Sequence, residues 1–302
     1  MTLFSRIIGV AALAALSMFA VFLLWAYRPP INPIAPFPGH LFTPALVRQG
    51  ERLANLGDCR SCHSITPMAD FAGGPAIRTP LGQLYGPNIT PDRATGIGTW
   101  SFEAFDRAMR DGVGRDGRHL YPAMPYDHFA ALSRDEMAAI YAYLMTRQPV
   151  HATAPANRLI FPLQFRPLLA GWKALFIRKR PPLPGPNADP SWRRGAYLSE
   201  GLAHCGACHT PRNWLQAERY HRALAGGSAD GWSTPPLDGT GKHWTSAQLE
   251  TYLLTGRGPD GSRARGPMAK VVAGLARAPR EDVHAIAVYI ASRMAGAGPP
   301  SF

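Results

Sequence analysis

Two pentapeptides of the chain share one pattern of reactive side chains: Cys59-Arg60-Ser61-Cys62-His63 and Cys205-Gly206-Ala207-Cys208-His209. Two thiols at this spacing can both form thioether bonds to one porphyrin, and the histidine beside the second thiol can reach the iron. The C-x-x-C-H pattern is therefore the attachment signature of a c-type haem. The two copies use all four cysteines of the chain. The sequence thus predicts two covalently bound haem c groups, held by Cys59, Cys62 and His63 and by Cys205, Cys208 and His209.

Two other uses of paired cysteines fit less well. Structural zinc sites usually have their cysteine pairs much closer in sequence, and they do not require a histidine after each pair. A thioredoxin-like redox pair is expected beside a βαβ pattern, which neither pentapeptide has. Haem attachment is therefore favoured over both.

The second axial ligand of each iron decides what the haem can do. An electron carrier fills both axial positions, whereas a peroxidase leaves one open. Met124 follows its motif histidine by 61 residues and Met268 follows its own by 59, and each lies 24 residues after a tryptophan. Both neighbour prolines, so we expect each in a stiffened loop that presents the thioether sulfur to iron. The interpretation is His/Met ligation, with His63 and Met124 on one iron and His209 and Met268 on the other.

A pair of histidines on each iron is the alternative. The candidates are His119 or His128 for the first haem and His243 or His284 for the second. These histidines are more typical of surface or capping positions. The remaining methionines fit packing roles, which is the usual use of methionine.

The N-terminus contains an uncharged run of 21 residues, from Ile7 to Tyr27, between Arg6 and Arg28. As a helix the run would be roughly 31 Å long, about the thickness of the hydrocarbon core of a bilayer. A cleaved signal peptide is the alternative, but its apolar region is shorter and ends in small residues. Bulky Trp25 and its neighbours end this run, so an uncleaved membrane anchor is favoured.

The rest of the chain repeats one layout. A capped helix beginning at Pro44 or Pro190 leads into each C-x-x-C-H motif, and both copies end in an amphipathic helix. Strand signals are weak. We therefore predict an all-α fold, with two tandem cytochrome c domains behind an N-terminal transmembrane helix. The expected division is a membrane anchor at 1–35, the first domain at 36–150, a linker or docking segment at 151–190 and the second domain at 191–302.

The segment 151–190 lies outside this repeat. Its stretch from Leu159 to Ile177 is apolar, but Pro162 and Pro167 argue against a membrane-spanning helix. Three interpretations are open: a linker that packs against both domains, a docking surface for a partner, or a segment lying in the membrane interface.

The chain of 302 residues has a formal net charge of +12, which by itself could indicate nucleic-acid binding. The arginines are scattered, however, and the sequence has no nucleic-acid-binding motif, so no such partner is expected. The excess positive charge favours an anionic membrane surface or an acidic partner instead.

Three segments resemble the cytochrome c subunit of bacterial membrane-bound dehydrogenases: residues 121–126 (YPAMPY), 88–92 (NITPD) and 204–213 (HCGACHTPRN). That family serves quinoprotein alcohol dehydrogenases and flavin-dependent gluconate or sugar dehydrogenases. The resemblance implies a periplasmic subunit that takes electrons from a catalytic dehydrogenase subunit and passes them to ubiquinone or a terminal oxidase. Family members typically carry three C-x-x-C-H motifs, and this chain has two.

The sequence therefore predicts a membrane-anchored di-haem cytochrome c that transfers electrons and has no substrate chemistry of its own. The resemblance implies that it lies in the bacterial inner membrane with its haem domains facing the periplasm. Its dehydrogenase partner could be of quinoprotein, flavoprotein or molybdenum type. The alternatives are a di-haem peroxidase with one open iron and the cytochrome c subunit of a haem-copper oxidase.

Overall fold

The computed structural model describes residues 3–35, 41–65, 70–177 and 189–296. Its first element is a helix of 24 residues, α1 (Leu3–Ala26), which is exposed along almost its whole length and contains an 18-residue stretch with a mean hydropathy of 2.7. The helix is therefore long and apolar enough to cross a bilayer, as the sequence predicts. Near its end, Ala26 is buried and only 3% exposed, because the chain there enters the body of the protein.

Two helical halves follow α1. The first half contains α2 (Pro44–Leu56), α3 (Cys59–His63), β1 (Ala76–Thr79), β2 (Gly82–Tyr85), α4 (Phe102–Asp111), α5 (Tyr126–Phe129) and α6 (Arg134–Met145). A connecting segment then forms β3 (Arg158–Leu159) and α7 (Leu168–Phe176). The second half contains α8 (Pro190–Glu200), α9 (Cys205–His209), β4 (Gly227–Ala229), β5 (Trp232–Thr234), α10 (Ser246–Thr255), α11 (Gly266–Leu275) and α12 (Arg280–Met294).

The helix starts expected from the sequence are confirmed by their caps. The hydroxyl of Thr43 accepts a hydrogen bond from the amide of Leu46 at 3.3 Å. The carboxylate of Asp189 does the same for the amide of Trp192 at 2.9 Å. Ser133 begins α6 with a reciprocal capping box, as its sequence predicts.

In both halves the helix before the motif crosses the last helix at a glycine. A Cβ atom added to Gly50 would lie 1.9 Å from the carbonyl oxygen of Ala139, and one added to Gly195 would lie 1.9 Å from that of Ala285. Any larger residue would therefore separate α2 from α6, or α8 from α12. These two crossings hold the framework that carries the motifs.

The all-α prediction holds for this framework but not for the whole fold. Strands β1 and β2 form an antiparallel hairpin extended by β3, and β4 and β5 form a second hairpin. The second hairpin turns through Asp230 and Gly231, both at positive φ. An Asp-Gly pair favours such a two-residue turn, so this dipeptide was a sequence signal for a hairpin that the helical interpretation missed.

The connecting segment contacts two other parts of the chain, strand β2 and helix α1. Strand β3 pairs with β2, and the ring of Phe165 stacks on that of Phe19 in α1 at 6.2 Å between centroids. The described part of this segment thus packs against the first half and α1. The predicted domain boundaries remain predictions, and the basic run 178–180 lies outside the described residues.

Candidate haem-binding sites

The two C-x-x-C-H motifs adopt the same local structure. Each forms a short helix, α3 or α9, and each helix is preceded by a residue in the left-handed conformation. These residues are Asp58, with φ of 48°, and His204, with φ of 37°. The repeat seen in the sequence is therefore also a repeat of backbone geometry at the predicted attachment cysteines.

Close backbone contacts hold each motif in place. A Cβ atom on Gly74 or on Gly86 would lie 1.7 Å from the carbonyl oxygen of Cys62, so neither position admits a side chain. In the second half, the hydroxyl of Thr234 donates a hydrogen bond to the carbonyl oxygen of Cys208 at 2.7 Å. The hairpins that the sequence analysis missed therefore support the motif backbones.

The motif histidines share one hydrogen-bond arrangement. The Nδ1 atom of His63 lies 2.8 Å from the carbonyl oxygen of Pro87, and that of His209 lies 2.8 Å from the carbonyl oxygen of Pro235. A carbonyl oxygen can only accept, so Nδ1 carries the hydrogen in both rings. The lone pair of each ring is then on Nε2, which is the tautomer that can bind a metal.

Met124 lies at the same cavity as His63. The cavity has a volume of about 500 Å³, and Cys62, His63, Tyr121 and Met124 are among the residues that line it. Cofactor pockets usually have volumes of roughly 300–1,000 Å³ and a mostly apolar lining. The cavity thus offers an attachment sulfur, an imidazole and a thioether to one bound group, which fits a haem c.

The structure places Met268 differently from the loop expected for it. Met268 lies in the first turn of α11, after Pro267, and is partly buried against the core. The backbone at Gly266, with φ of 53°, packs against the ring of Trp232. The loop expectation was wrong because proline is well suited to the first turn of a helix, where its missing N–H is not needed. Whether Met268 binds the second iron stays a prediction.

Three of the four alternative histidines are engaged elsewhere or exposed. His119 lies 2.8 Å from the carbonyl oxygen of Ala26 through Nε2 and 3.2 Å from the Nζ of Lys173 through Nδ1. His284 binds the carboxylate of Glu250 at 2.8 Å through Nδ1. His243 is exposed. His128 is described below.

The cysteine surroundings suit neutral sulfur. Burial raises the pKa of Cys59, Cys62 and Cys205 to about 12 in each case. A zinc site stabilises thiolates instead. In the described ranges, three side chains place atoms that could bind a metal ion within 4.8 Å of one another. They are Asp127, His128 and Glu218, and this group contains no cysteine. Thioether bonds to haem would leave the sulfurs uncharged, which fits this environment.

The two motifs approach each other across the junction of the halves. The ring of His204, directly before the second motif, lies 3.2 Å from the carbonyl oxygen of Gly57 through Nε2. The backbone amide of Arg78 in the first hairpin donates to the carboxylate of Asp230 in the second at 3.0 Å. The tertiary structure therefore brings together two motifs that are far apart in sequence.

A buried charged cluster behind the second motif was missed by the sequence analysis. His128 is fully buried, with Nδ1 2.9 Å from the carbonyl oxygen of Glu200 and Nε2 3.0 Å from the carboxylate of Glu218. Because both partners are acceptors, the geometry fits an imidazolium paired with a carboxylate. Arg212 lies 3.5 Å from Glu218 and donates to the carbonyl oxygen of Ala207 inside the motif at 2.7 Å. No local sequence signal pairs residues 90 positions apart.

Comparisons with known proteins agree with this site. A sequence model of the cytochrome c family matches residues 47–148. A "Diheme cytochrome c-type" protein of Cereibacter sphaeroides is 36% identical over 274 residues, which cover 88% of this chain and 91% of that protein. The chain belongs to this family of c-type cytochromes. Covalently bound haem c is the cofactor of that family.

Other relatives of the cytochrome are named as parts of dehydrogenases. One subunit of the nicotinate dehydrogenase of Pseudomonas putida is 48% identical over 92% of this chain and 24% of its own length. The "Fructose dehydrogenase cytochrome subunit" of Gluconobacter japonicus is 40% identical over 93% of this chain and 59% of its own length. The cytochrome thus spans a quarter to three fifths of these two relatives.

Proposed function

We propose that this cytochrome is a membrane-anchored di-haem electron-transfer subunit with no substrate chemistry of its own. One haem c is bound through Cys59 and Cys62 and the other through Cys205 and Cys208. Each iron supplies the chemistry by alternating between the ferrous and ferric states. The observation that carries this proposal is the shared histidine geometry, in which a proline carbonyl fixes Nδ1 and leaves Nε2 for iron in both motifs.

Met124 and Met268 would each supply a thioether sulfur to one of the two irons. The support for Met124 is that it lines one cavity with His63. The support for Met268 is its matching sequence position and its place after Pro267 in the first turn of α11. Thioether ligation favours the ferrous state and raises the reduction potential, which suits a carrier that passes electrons towards the respiratory chain.

The N-terminal helix is retained as the membrane anchor. Its support is the way the helix end is built into the protein: Ala26 is buried, and its carbonyl oxygen accepts a hydrogen bond from the ring of His119 at 2.8 Å. The following backbone continues this contact, since the amide of Ile31 donates to the carbonyl oxygen of Arg115 at 2.8 Å. Cleavage after Ala26 would remove the acceptor of a buried histidine, which is costly.

The donor is a catalytic dehydrogenase subunit of quinoprotein, flavoprotein or molybdenum type, and the acceptor is ubiquinone or a terminal oxidase. The names of the relatives support a dehydrogenase partner. The haem-bearing halves then face the periplasm of a bacterial inner membrane, where such a partner would deliver electrons.

The axial ligands can be tested by optical spectroscopy of the purified holoprotein. Met124→Ala and Met268→Ala should each remove the sulfur-to-iron absorption of one haem, while the c-type bands of the reduced protein persist. Met137→Ala is a matched control because Met137 is completely buried in α6, and its loss should leave the ligand absorption intact. An unchanged ligand spectrum in both test variants would falsify the assignment.

Carbon monoxide distinguishes a carrier from a peroxidase-type enzyme. With both axial positions filled, the native reduced protein should bind carbon monoxide slowly and incompletely. Met124→Ala should bind it readily at one haem. Rapid stoichiometric binding by the unmodified protein would instead indicate an open iron and a catalytic role.

A further inference from the structure

Exposed apolar side chains form a patch around the connecting segment. The patch consists of Ile160, Phe161, Phe165, Leu175 and Trp214, which are 55%, 89%, 42%, 74% and 79% exposed. Ile160 and Phe161 follow β3, Phe165 lies shortly before α7, and Leu175 lies within α7. Trp214 precedes Leu215, whose carbonyl oxygen accepts a hydrogen bond from the indole of Trp172 in α7 at 2.9 Å. Large exposed apolar groups in one place mark an interaction surface.

Two cations next to the patch, Arg166 and Lys173, point the other way. Arg166 donates to the carbonyl oxygen of His119 at 2.8 Å and stacks over the ring of Tyr121. The Nζ of Lys173 lies 2.6 Å from the carbonyl oxygens of Asp111 and Gly112. These two cations are thus directed into the protein while the apolar side chains of the patch are exposed, the reverse of a helix that faces water.

The patch continues the surface of the membrane helix. Phe165 stacks on Phe19 at 6.2 Å, and a Cβ atom on Gly171 would be in ordinary contact with the ring of Phe22 at 3.6 Å. Phe19 lies seven residues before Ala26, or about 10 Å from the end of α1 along its axis. The segment therefore sits beside the last two turns of the helix.

We propose that this patch lies in the interfacial layer of the same bilayer that α1 crosses, with phospholipid as its occupant. The inference rests on the proposed membrane anchor. A segment in contact with Phe19 and Phe22 is then carried to a depth of about 5–10 Å, where the apolar faces of interfacial helices lie. Trp214 suits this level because indole combines an apolar ring with a polar N–H. The patch and α1 together fix the tilt of the haem-bearing halves against the membrane.

Single cysteines introduced at exposed positions test this placement. All native cysteines are expected to be held by haem, so Phe161→Cys and Leu175→Cys each provide one reactive thiol in the full-length holoprotein. The protein is reconstituted in vesicles of phosphatidylethanolamine and phosphatidylglycerol and treated with a polyethylene-glycol maleimide that cannot enter lipid. Leu13→Cys in α1 reports on the anchor, and Thr251→Cys in α10 is the matched exposed control.

The expected result is at least tenfold slower labelling of positions 161, 175 and 13 than of position 251, with complete labelling of all four in denaturant. Slow labelling at 13 with rapid labelling at 161 and 175 would overturn the interfacial placement and leave the anchor intact. Rapid labelling at position 13 as well would overturn both.

A photoreactive residue identifies the occupant. The benzophenone analogue of phenylalanine at position 161 should crosslink to a phospholipid, seen as the mass of one lipid added to the intact protein. A crosslinked dimer without a lipid adduct would show that a second copy covers the patch and would refute the proposal. Because Phe161 is 89% exposed, neither substitution at this position should disturb folding.

Discussion

At the scale of single residues, the two motifs share their protonation chemistry but not their surroundings. His63 and His209 each donate from Nδ1 to a proline carbonyl, and burial lowers the pKa of both rings below the ordinary histidine value. Both effects keep Nε2 unprotonated and available to a metal. The second motif differs because the charged pair of His128 and Glu218 lies directly behind it.

Removing Glu218 should destabilise the protein strongly. Glu218→Ala takes away the carboxylate that is hydrogen-bonded to Nε2 of the buried His128, and breaking a buried ion pair from one side costs about 3–5 kcal/mol. Glu250→Ala is the matched control, since its partners Arg280 and His284 have side chains that are 81% and 49% exposed. The control should cost about 1 kcal/mol or less. Guanidinium unfolding followed by circular dichroism measures both values, and equal losses would contradict a buried charged pair.

At the scale of elements, the same two structural features position each of the motifs. Each motif follows a helix that crosses the last helix of its half at a glycine, and each is supported by a hairpin. These crossings are limited by backbone atoms, which cannot move aside as a flexible side chain can. The helices thus set the positions of the motifs through their closest contact points.

Gly50→Ala and Gly195→Ala should each lower the free energy of unfolding by about 2–3 kcal/mol, because the new methyl group would overlap a carbonyl group of the facing helix. Gly171→Ala in α7 is the control, since its methyl group would make an ordinary contact at 3.6 Å. That change should leave stability unchanged or raise it by up to about 1 kcal/mol. Denaturant unfolding of the three variants gives the comparison, and tolerance of alanine at both crossings would show that the helices can separate freely.

At the scale of the whole molecule, the arrangement joins a membrane helix, two motif-bearing halves and an apolar patch. The motifs meet near Gly57 and His204, so electrons could pass between the proposed haems without leaving the protein. The membrane helix enters the first half through Ala26 and His119. The end of α1 is therefore in direct contact with the residue before Leu120, which lines the cavity.

The protein purified from membranes should retain its N-terminal helix. Intact-mass analysis should give the full chain with the added mass of two haem c groups, and the protein should stay in the membrane pellet after an alkaline carbonate wash. A mature chain that begins after Ala26, found in the soluble fraction, would contradict the anchor.

Cys205→Ala combined with Cys208→Ala should remove one haem mass and leave the other.

The sequence alone determined the features that depend on neighbouring residues. Helix caps such as Thr43 and Ser133, the apolar run of α1 and the spacing of Cys59, Cys62 and His63 are local, so their chemistry can be read from the chain. Met268 shows the limit, because a proline before it fits both a loop and the first turn of a helix.

Only the tertiary structure decided which distant groups meet. It paired His128 with Glu218, set Gly50 against Ala139, and brought Gly57 next to His204, because packing forces such contacts without leaving a pattern in the local sequence. It also turned Lys173 of α7 inwards and left Phe161 exposed. Periodicity predicts which elements form, whereas the facing surfaces of those elements depend on how the whole chain closes around its core.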